Sequence, residues 1–233
     1  MVRIYLLLCL IFKCGCLLAQ DIGRQQMIDS SAVRYSKIAG NQSVLYYGKI
    51  QDGHPNVTNH PYLKDAHYAK ARLSYCGIIY PDAMLRLDKS RDELVILSPD
   101  QRHIVLFPEN VDFAELHDQR IIYFRGDTLS GAPSSGYFIL LHSGNCRVLE
   151  KNNAYLMHDN NGEWFYQIST QFYLYKDGVY HNIRNKSGLL KLLKPYKKEL
   201  KRFIFANRLQ FRHGAGELIS RTVGEYEKLC GTI

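Results

Sequence analysis

Beyond its first 19 residues, the chain lacks any apolar run long enough to cross a membrane as a helix. Such a helix needs about 20 consecutive apolar residues, and no later stretch of the 233-residue sequence approaches that length. With 46% hydrophobic and 22% charged residues, the composition also excludes disordered and fibrous proteins. We therefore expect a globular chain with its own core and no transmembrane helix after the first 19 residues.

The sequence also lacks the motifs of common catalytic and cofactor-binding sites. The segment GAPSSG (131–136) has no glycine two residues before either serine, as a nucleophile elbow requires. Gly126 and Gly131 have the spacing of a phosphate-binding loop, but Ala132 and Pro133 occupy the Lys and Ser/Thr positions. Carboxylates are spread evenly and lie beside turns, where Asp is favoured for structural reasons. We therefore predict no catalytic residues and no cofactor.

Histidines are clustered in one place only, around two prolines near the start of the chain. A loop could bring His54, His60 and His67 to one metal ion, but their spacings do not match the usual zinc motifs. We predict no metal site and interpret the three as exposed loop residues. The remaining enzyme hypothesis is a secreted hydrolase whose His and Asp residues meet only in the tertiary structure.

The first 19 residues have the pattern of a secretory signal peptide. Arg3 precedes an apolar run, and the small residue Ala19 stands before the polar Gln20. We predict cleavage after Ala19 and export of the mature chain. Its destination is then the periplasm, the outer membrane or the medium.

Cysteine is scarce in the predicted mature chain. Three of the six cysteines lie in the signal segment, which leaves Cys76, Cys146 and Cys230. In an oxidising compartment one pair could form a disulfide, and the sequence leaves all three pairings open. The alternative is that these thiols are buried and pack as small apolar side chains.

The chain changes character at about residue 68 and again at about residue 184. Residues 20–67 are polar and irregular, and only SVLYYGKI (43–50) has the pattern of a strand. Residues 68–183 consist of short β-rich runs whose gaps are mostly too short for parallel crossovers, so we expect antiparallel hairpins. Between two aromatic runs, Lys176-Asp-Gly178 predicts a tight turn.

The last part of the chain, residues 184–233, has helical signals. Ser187 could cap a first helix, Pro195 suits the first turn of a second, and a third is expected over residues 216–229. The sequence thus predicts an α+β fold. An antiparallel β-meander, built as a sandwich or an open barrel, is followed by about three helices packed on it.

Positive charge is concentrated in this helical part. Residues 186–212 contain nine Lys or Arg residues against Glu199 alone, while the rest of the mature chain is slightly acidic. On a helical projection the apolar side chains share one face, which consists of Tyr196, Leu200, Phe203 and Ile204. The other side carries Lys198, Lys201 and Arg202.

We predict that these three cations bind an anionic surface, either acidic lipid or acidic glycan. Export disfavours nucleic acid as the partner. Phe205 lies among the cations, where a core-facing helix does not need it, and is our candidate for partner contact. Tyr173 and Tyr175 share one face of a predicted strand and could either stack on a sugar or pack in the core. The alternative for the whole basic region is a solvated helix face.

Several motifs together resemble those of uncharacterised exported proteins of the Bacteroidota. They are the junction Leu17-Leu-Ala-Gln20 and the segments ELVILSPDQRHIVLFPENV, KDGVY and GLLKLLKPYKKELKRFIFANRLQF. The resemblance covers most of residues 60–229 and implies an exported β-rich protein with a basic helical segment, without an assigned activity. We therefore favour a non-enzymatic exported binding or structural protein over the hydrolase.

Processing at the predicted junction can be measured directly. N-terminal sequencing of protein recovered outside the cytoplasm should begin at or near Gln20, because the signal peptide is removed during export. Retention of Met1 in the exported protein would contradict the signal-peptide prediction.

Overall fold

The computed structural model describes residues 44–55, 57–126, 128–129 and 131–231. The predicted signal peptide and residues 20–43 lie outside this part of the chain. Within it, one antiparallel sheet of eleven strands is followed by three helices, which confirms the predicted α+β class. The sheet is a single one and is not closed on itself.

The strands succeed one another along the chain before the first α-helix. Their bounds are β1 (Lys49–Ile50), β2 (Ala69–Tyr75), β3 (Ile78–Asp88), β4 (Glu93–Leu97), β5 (His103–Val105), β6 (Val111–Leu116), β7 (Gln119–Phe124), β8 (Gly136–Ser143), β9 (Arg147–His158), β10 (Trp164–Lys176) and β11 (Val179–Asn182). Across the sheet the order is β1-β5-β4-β3-β2-β6-β7-β8-β9-β10-β11. Two meanders, β2 to β5 and β6 to β11, therefore extend in opposite directions from the β2–β6 pair.

The segment predicted as a strand over residues 43–50 is a strand only at its end. Val44–Tyr46 form a 3-10 turn, and only Lys49–Ile50 pair, with β5. The turn buries Leu45 and packs Tyr46 against the same apolar cluster. Strand alternation would point these neighbouring residues to opposite faces, so burial of both favours the turn.

The β10–β11 hairpin confirms the turn predicted from Lys176-Asp-Gly178. Asp177 and Gly178 have φ angles of 52° and 80°, the left-handed values that a two-residue hairpin turn needs. The resulting register places Tyr175 opposite Tyr180, and their ring centroids are 4.9 Å apart.

Two large apolar cores and a smaller third cluster stabilise the described part of the chain. The larger one lies on strands β2 to β8 and includes the fully buried Leu73, Leu85 and Ile121. The second lies between the sheet, which contributes Val148 and Leu174, and the helices. Each fully buried side chain of this size contributes roughly 1.5–3 kcal/mol, so the helical layer is held mainly by this second core.

The sheet curls until the β3–β4 turn meets β8 and β9. The Asp92 carboxylate lies 2.5 Å from Lys151 Nζ and accepts a 3.2 Å hydrogen bond from the backbone N–H of Tyr137. The Lys89 carbonyl accepts a 3.1 Å bond from the backbone N–H of Ala154. Because four strands separate β3 from β9 in the sheet, these contacts require strong curvature.

Gly136 makes this approach possible. Its φ of 153° is a backbone conformation that residues with a side chain rarely adopt. In addition, a Cβ at this position would collide with the Asp92 carboxylate and the Lys151 ammonium. Lys151 is buried here, with its ammonium 4.9 Å from the centroid of the Phe138 ring. Any larger residue at position 136 would displace the Asp92 carboxylate or the Lys151 ammonium from this contact.

The helices are α1 (Lys186–Leu192), α2 (Lys197–Ala206) and α3 (Phe211–Leu229). The cap of α1 is Asn185, whose side chain accepts a 2.8 Å bond from the backbone N–H of Gly188, so the prediction of Ser187 as cap is wrong. Gly214, with φ −163° and ψ 53°, interrupts α3 by a kink, so its regular part starts close to the predicted residue 216. Before the kink, Phe211 packs against Phe172 of β10. Among the described residues, no helix has both the length and the apolar character needed to span a membrane.

The Asp92–Lys151 pair should account for a measurable part of the stability. Asp92→Ala leaves the Lys151 ammonium buried without its partner, and we expect a loss of about 2–3 kcal/mol in the free energy of unfolding, since Asp92 is itself partly exposed. Urea unfolding measures this loss. The control Asp82→Ala removes an exposed partner, 4.0 Å from Lys70, and should change little. Equal effects of the two variants would contradict the structural role of Asp92.

Candidate functional site

Helix α2 packs on the molecule by one face. Leu200 and Ile204 are buried in the second core, and Tyr196 and Phe203 pack against it half-buried. These are the four residues that the helical projection places on the apolar side. The packing face was therefore predicted correctly from periodicity alone.

The opposite face of α2 carries cations and one aromatic side chain. Lys198, Lys201 and Arg202 are all exposed. Phe205 is 85% exposed, the highest value among the exposed large apolar residues of the described chain. It follows Lys201 by four residues, so the two side chains lie on the same side of the helix.

Beside Phe205 lies an open groove of about 520 Å³ between α1, α2 and the α2–α3 connection. Its apolar residues are Leu190, Ile204, Phe205 and Leu209. Its polar residues are Lys186, Lys201, Arg208 and Gln210. We call this feature the basic groove. Its combination of an apolar floor and three cations suits a ligand that has both apolar and anionic parts.

Arg208 reaches the basic groove from a strained backbone position. Its φ is 53°, in the left-handed region that usually favours glycine at the end of a helix. The Leu209 N–H bonds the Ile204 carbonyl at 3.0 Å, and the Arg208 N–H bonds the Phe205 carbonyl at 3.1 Å, which closes α2. A non-glycine residue here costs roughly 1–2 kcal/mol. Its cation offsets part of this cost by facing the negative end of the helix dipole.

The end of α2 is also fixed to α3. Arg221 donates a 2.6 Å hydrogen bond to the Asn207 side chain, which in turn donates a 2.9 Å bond to the Phe203 carbonyl. These bonds hold the connection that carries Arg208 and Leu209. The groove is therefore built on an anchored segment.

The positive charge around the groove is not neutralised locally. In the described part of the chain, none of the basic side chains of residues 186–212 forms an ion pair with a carboxylate. The nearest pairs in sequence are Lys176 with Asp177 before this range and Arg221 with Glu217 after it. Uncompensated cations on one face produce a positive potential that attracts anionic partners.

The structure separates the predicted residues into two groups. Lys201 and Phe205 line the basic groove, whereas Lys198 and Arg202 are exposed on α2 but do not line it. Sequence reasoning did not single out the other two cations of the groove, Lys186 and Arg208. Both belong to the predicted basic run, but their convergence depends on how α1 packs beside α2.

A second groove, of about 550 Å³, differs in its charge. It is lined by Lys70, Glu115, His117, Asp118, Gln119 and Arg120. Glu115 lies 3.6 Å from Arg72 and 3.5 Å from Arg120, so charges of both signs are already paired there. This groove lacks the apolar floor and the charge excess of the basic groove.

The tyrosine pair on β10 is not an open platform. Tyr173 packs edge-to-face on Phe138, with centroids 6.1 Å apart, and Tyr175 packs on Tyr180. Both tyrosines are half-buried against the third apolar cluster of the molecule. The geometry favours the packing role over the sugar-stacking role.

A buried polar cluster lies where residues 51–55 and 57–62 cross the β3–β4 turn. We call these residues the strap. Asp88 Oδ2 accepts a 2.9 Å hydrogen bond from Gln51 and lies 2.5 Å from His54 Nε2. His54 Nδ1 lies 2.7 Å from the Tyr166 hydroxyl. The interpretation of His54 as an exposed loop residue is therefore wrong, because its ring binds partners 34 and 112 residues away.

This Asp–His–Tyr arrangement is better suited to holding the strap than to catalysis. The side chains of His54 and Asp88 are 10% and 0% exposed, and Tyr166 is 3% exposed. Both ring nitrogens of His54 already have partners, and burial raises the pKa of the Tyr166 phenol, which disfavours its ionisation. A general base needs hydrogen-bond reach to a substrate, which this burial opposes.

The other two histidines of the predicted cluster point elsewhere. His60 stacks on Tyr62 with centroids 6.1 Å apart, and the exposed His67 bonds Asp65 at 2.8 Å. No three His, Cys, Asp or Glu side chains of the described residues are grouped as metal ligands. His54 and His60 contact the same Tyr62 ring, whereas His67 bonds Asp65.

The strap also covers part of the free edge of β10. The Asn59 side chain donates a 2.8 Å hydrogen bond to the Tyr166 carbonyl and accepts a 2.7 Å bond from the Tyr166 N–H. One amide therefore pairs with both backbone groups of a strand residue. This contact and the His54 contact fix the strap to β10 from two sides of Tyr166.

Comparison of the chain with protein-family models, with curated proteins and with solved structures finds no match. The function is therefore inferred from the geometry and charge of the chain's own residues. Of the places described above, the basic groove combines solvent access, apolar surface and unpaired charge. It is the candidate functional site.

Substitutions at two neighbouring positions of α2 distinguish a side chain that packs in the core from one that is exposed on the surface. Ile204→Ala removes a buried side chain and should lower the free energy of unfolding by about 2–4 kcal/mol. Phe205→Ser removes a side chain that is 85% exposed and should leave stability nearly unchanged. Urea or thermal unfolding distinguishes the two. A large loss of stability in Phe205→Ser would show that Phe205 serves packing rather than a partner.

Proposed function

We propose that the protein is an exported, non-enzymatic binding protein that attaches to an anionic lipid surface of the cell envelope. The basic face of α2 and the basic groove form the contact. The observation that carries this proposal is Phe205, an almost fully exposed aromatic side chain surrounded by unpaired cations. An exposed aromatic ring gains no stabilisation from water, whereas burial in a membrane interface stabilises it.

The magnitudes are sufficient for reversible attachment. Five cations, Lys186, Lys198, Lys201, Arg202 and Arg208, would each contribute about 1 kcal/mol near an anionic lipid surface. Burial of the Phe205 ring adds roughly 2 kcal/mol. A total of about 7 kcal/mol corresponds to a dissociation constant of the order of 10 μM. Salt screens the charge term over about 8 Å at physiological ionic strength, so attachment should weaken as salt is added.

The apolar component favours lipid over acidic glycan. Leu190, Ile204 and Leu209 form an apolar floor beneath the cations, which matches a ligand with an acyl chain next to an anionic headgroup. A glycan would bring charge without apolar surface. The aromatic pair that could stack on sugars, Tyr173 and Tyr175, is half-buried.

The predicted signal peptide and the resemblance to exported proteins agree with this function. An exported chain meets acidic lipids at the envelope, and a peripheral contact needs no transmembrane helix. The hydrolase hypothesis has weaker support, because the convergent residues His54, Asp88 and Tyr166 are buried and hold the strap.

The test is co-sedimentation with vesicles of phosphatidylcholine, with and without phosphatidylglycerol. The parent protein should bind only the vesicles that contain phosphatidylglycerol, and 0.5 M salt should weaken binding by at least tenfold. The triple variant Lys198→Glu, Lys201→Glu, Arg202→Glu should lose binding. Phe205→Ser should weaken it about thirtyfold, because the apolar contribution of roughly 2 kcal/mol is removed.

A charge-matched control distinguishes the effect of the α2 residues on binding from the effect of the protein's net charge. The variant Lys49→Glu, Lys64→Glu, Lys70→Glu makes the same change in charge at exposed lysines outside the helices and should bind like the parent. Equal binding by the α2 triple variant and the parent would overturn the proposal. Stronger retention on an acidic polysaccharide, unaffected by Phe205→Ser, would also overturn it by assigning the face to a glycan.

A further inference from the structure

The last turn of α3 is fastened to the β8–β9 turn by a buried carboxylate. Glu227, 1% exposed, accepts a 2.5 Å hydrogen bond from the backbone N–H of Cys146 and lies 2.8 Å from His142 Nε2. Gly144 allows this approach, since a side chain there would collide with the Glu227 carboxylate. The backbone of Cys146 is thus held against the end of α3.

Cys230 lies at the same contact, on the helix side. It follows Glu227 by three residues and continues the helical backbone, with its N–H bonded to the Tyr226 carbonyl at 3.0 Å. Residues three apart on a helix lie on the same side. Tyr226, one turn before Cys230, packs in the same apolar cluster as Cys146. The two cysteines therefore lie on the two elements that Glu227 joins, each next to this contact.

The electrostatics of the thiols agree with this proximity. Burial raises the pKa of the Cys146 thiol to about 11, with further increases from the Glu227 carboxylate and, among smaller causes, from the Cys230 thiol. Burial and a hydrogen bond with Cys230 also raise the pKa of Tyr226. Cys146 is buried, whereas Cys230 is exposed.

The third cysteine lies at the other end of the sheet. Cys76 is in the β2–β3 turn, where its N–H bonds the Asn110 carbonyl just before β6 begins. The β8–β9 turn lies instead at the end of the sheet where β6 finishes, because β7 and β8 continue the antiparallel meander. The length of a six-residue strand, roughly 20 Å, separates the two ends. A disulfide requires Cα atoms within about 7 Å.

We propose that Cys146 and Cys230 form a disulfide bond in an oxidising compartment, and that Cys76 remains a free thiol. The bond would fasten the end of α3, and with it the helical layer that carries the basic groove, to the β8–β9 turn. Of the three pairings that the sequence leaves open, this one is compatible with the strand topology, because Cys76 lies at the opposite end of the sheet. The proposal depends on export but not on lipid binding.

The reaction is thiol–disulfide exchange with an external disulfide, RSSR. The exposed Cys230 thiolate attacks RSSR, forms a mixed disulfide and releases one RS⁻. The Cys146 thiolate then attacks the Cys230 sulfur, forms the Cys146–Cys230 bond and releases the second RS⁻. The two protein thiols lose two protons and two electrons, and RSSR is reduced to two thiols. The raised pKa of Cys146 makes the second step slow at neutral pH and faster as pH rises.

Tryptic mapping without reduction tests the pairing. Trypsin places the three cysteines in separate peptides, which are 73–86 with Cys76, 126–147 with Cys146 and 229–233 with Cys230. The cleavage sites are Arg72, Arg86, Arg125, Arg147 and Lys228. After incubation of the reduced protein with oxidised glutathione at pH 8, peptides 126–147 and 229–233 should appear linked, two hydrogens lighter than their sum. The oxidised protein should also melt about 10 °C higher, because the bond closes a long loop.

Single substitutions complete the test. Cys76→Ser should keep both the linked peptide and the rise in melting temperature. Cys230→Ser, at an exposed position that leaves the fold intact, should abolish both, as should Cys146→Ser if that variant folds. A stable mixed disulfide of glutathione on Cys230, the absence of any linked peptide, or a link that includes Cys76 would overturn the proposal.

Discussion

The fold depends on the β3–β4 turn, because its two aspartates join parts of the chain that the sheet order keeps apart. Asp88 takes hydrogen bonds from the strap through Gln51 and His54. Asp92 binds Lys151 and the backbone of Tyr137, and thereby maintains the curl of the sheet. Asp88 is fully buried and Asp92 partly buried, and each carboxylate is stabilised by several donors. The five residues 88–92, at the end of β3 and in the turn after it, therefore connect the strap, both meanders and β10.

Features encoded by neighbouring residues could be predicted from the sequence. Short β-rich runs indicated antiparallel hairpins, and Asp177-Gly178 indicated a turn whose φ angles the structure reproduces. The order of the strands could not be predicted, since the return of β6 to pair with β2 is encoded in no local pattern. The curl of the sheet was equally inaccessible, because it depends on Asp92 and Lys151, which are 59 residues apart.

In the candidate site, too, local features could be predicted from the sequence, and features that depend on distant residues could not. Periodicity places Lys198, Lys201 and Arg202 on the solvent side of α2, as the structure shows. The basic groove requires α1 to lie beside α2 and Arg208 to adopt a left-handed backbone, and neither follows from composition or spacing. The sequence pattern predicts an exposed loop histidine at position 54, because no local signal indicates a partner as distant as Tyr166.

Asn59 gives the strap a protective role at the edge of the sheet. Strand β11 pairs only with residues 173–176 of β10, so the earlier half of β10 lies at an edge, beside the exposed Trp164 and Ile168. An apolar strand edge with free backbone groups is a template for pairing between molecules. By occupying both backbone groups of Tyr166, the Asn59 amide interrupts that template. Release of the strap would therefore expose this edge and favour aggregation through β10.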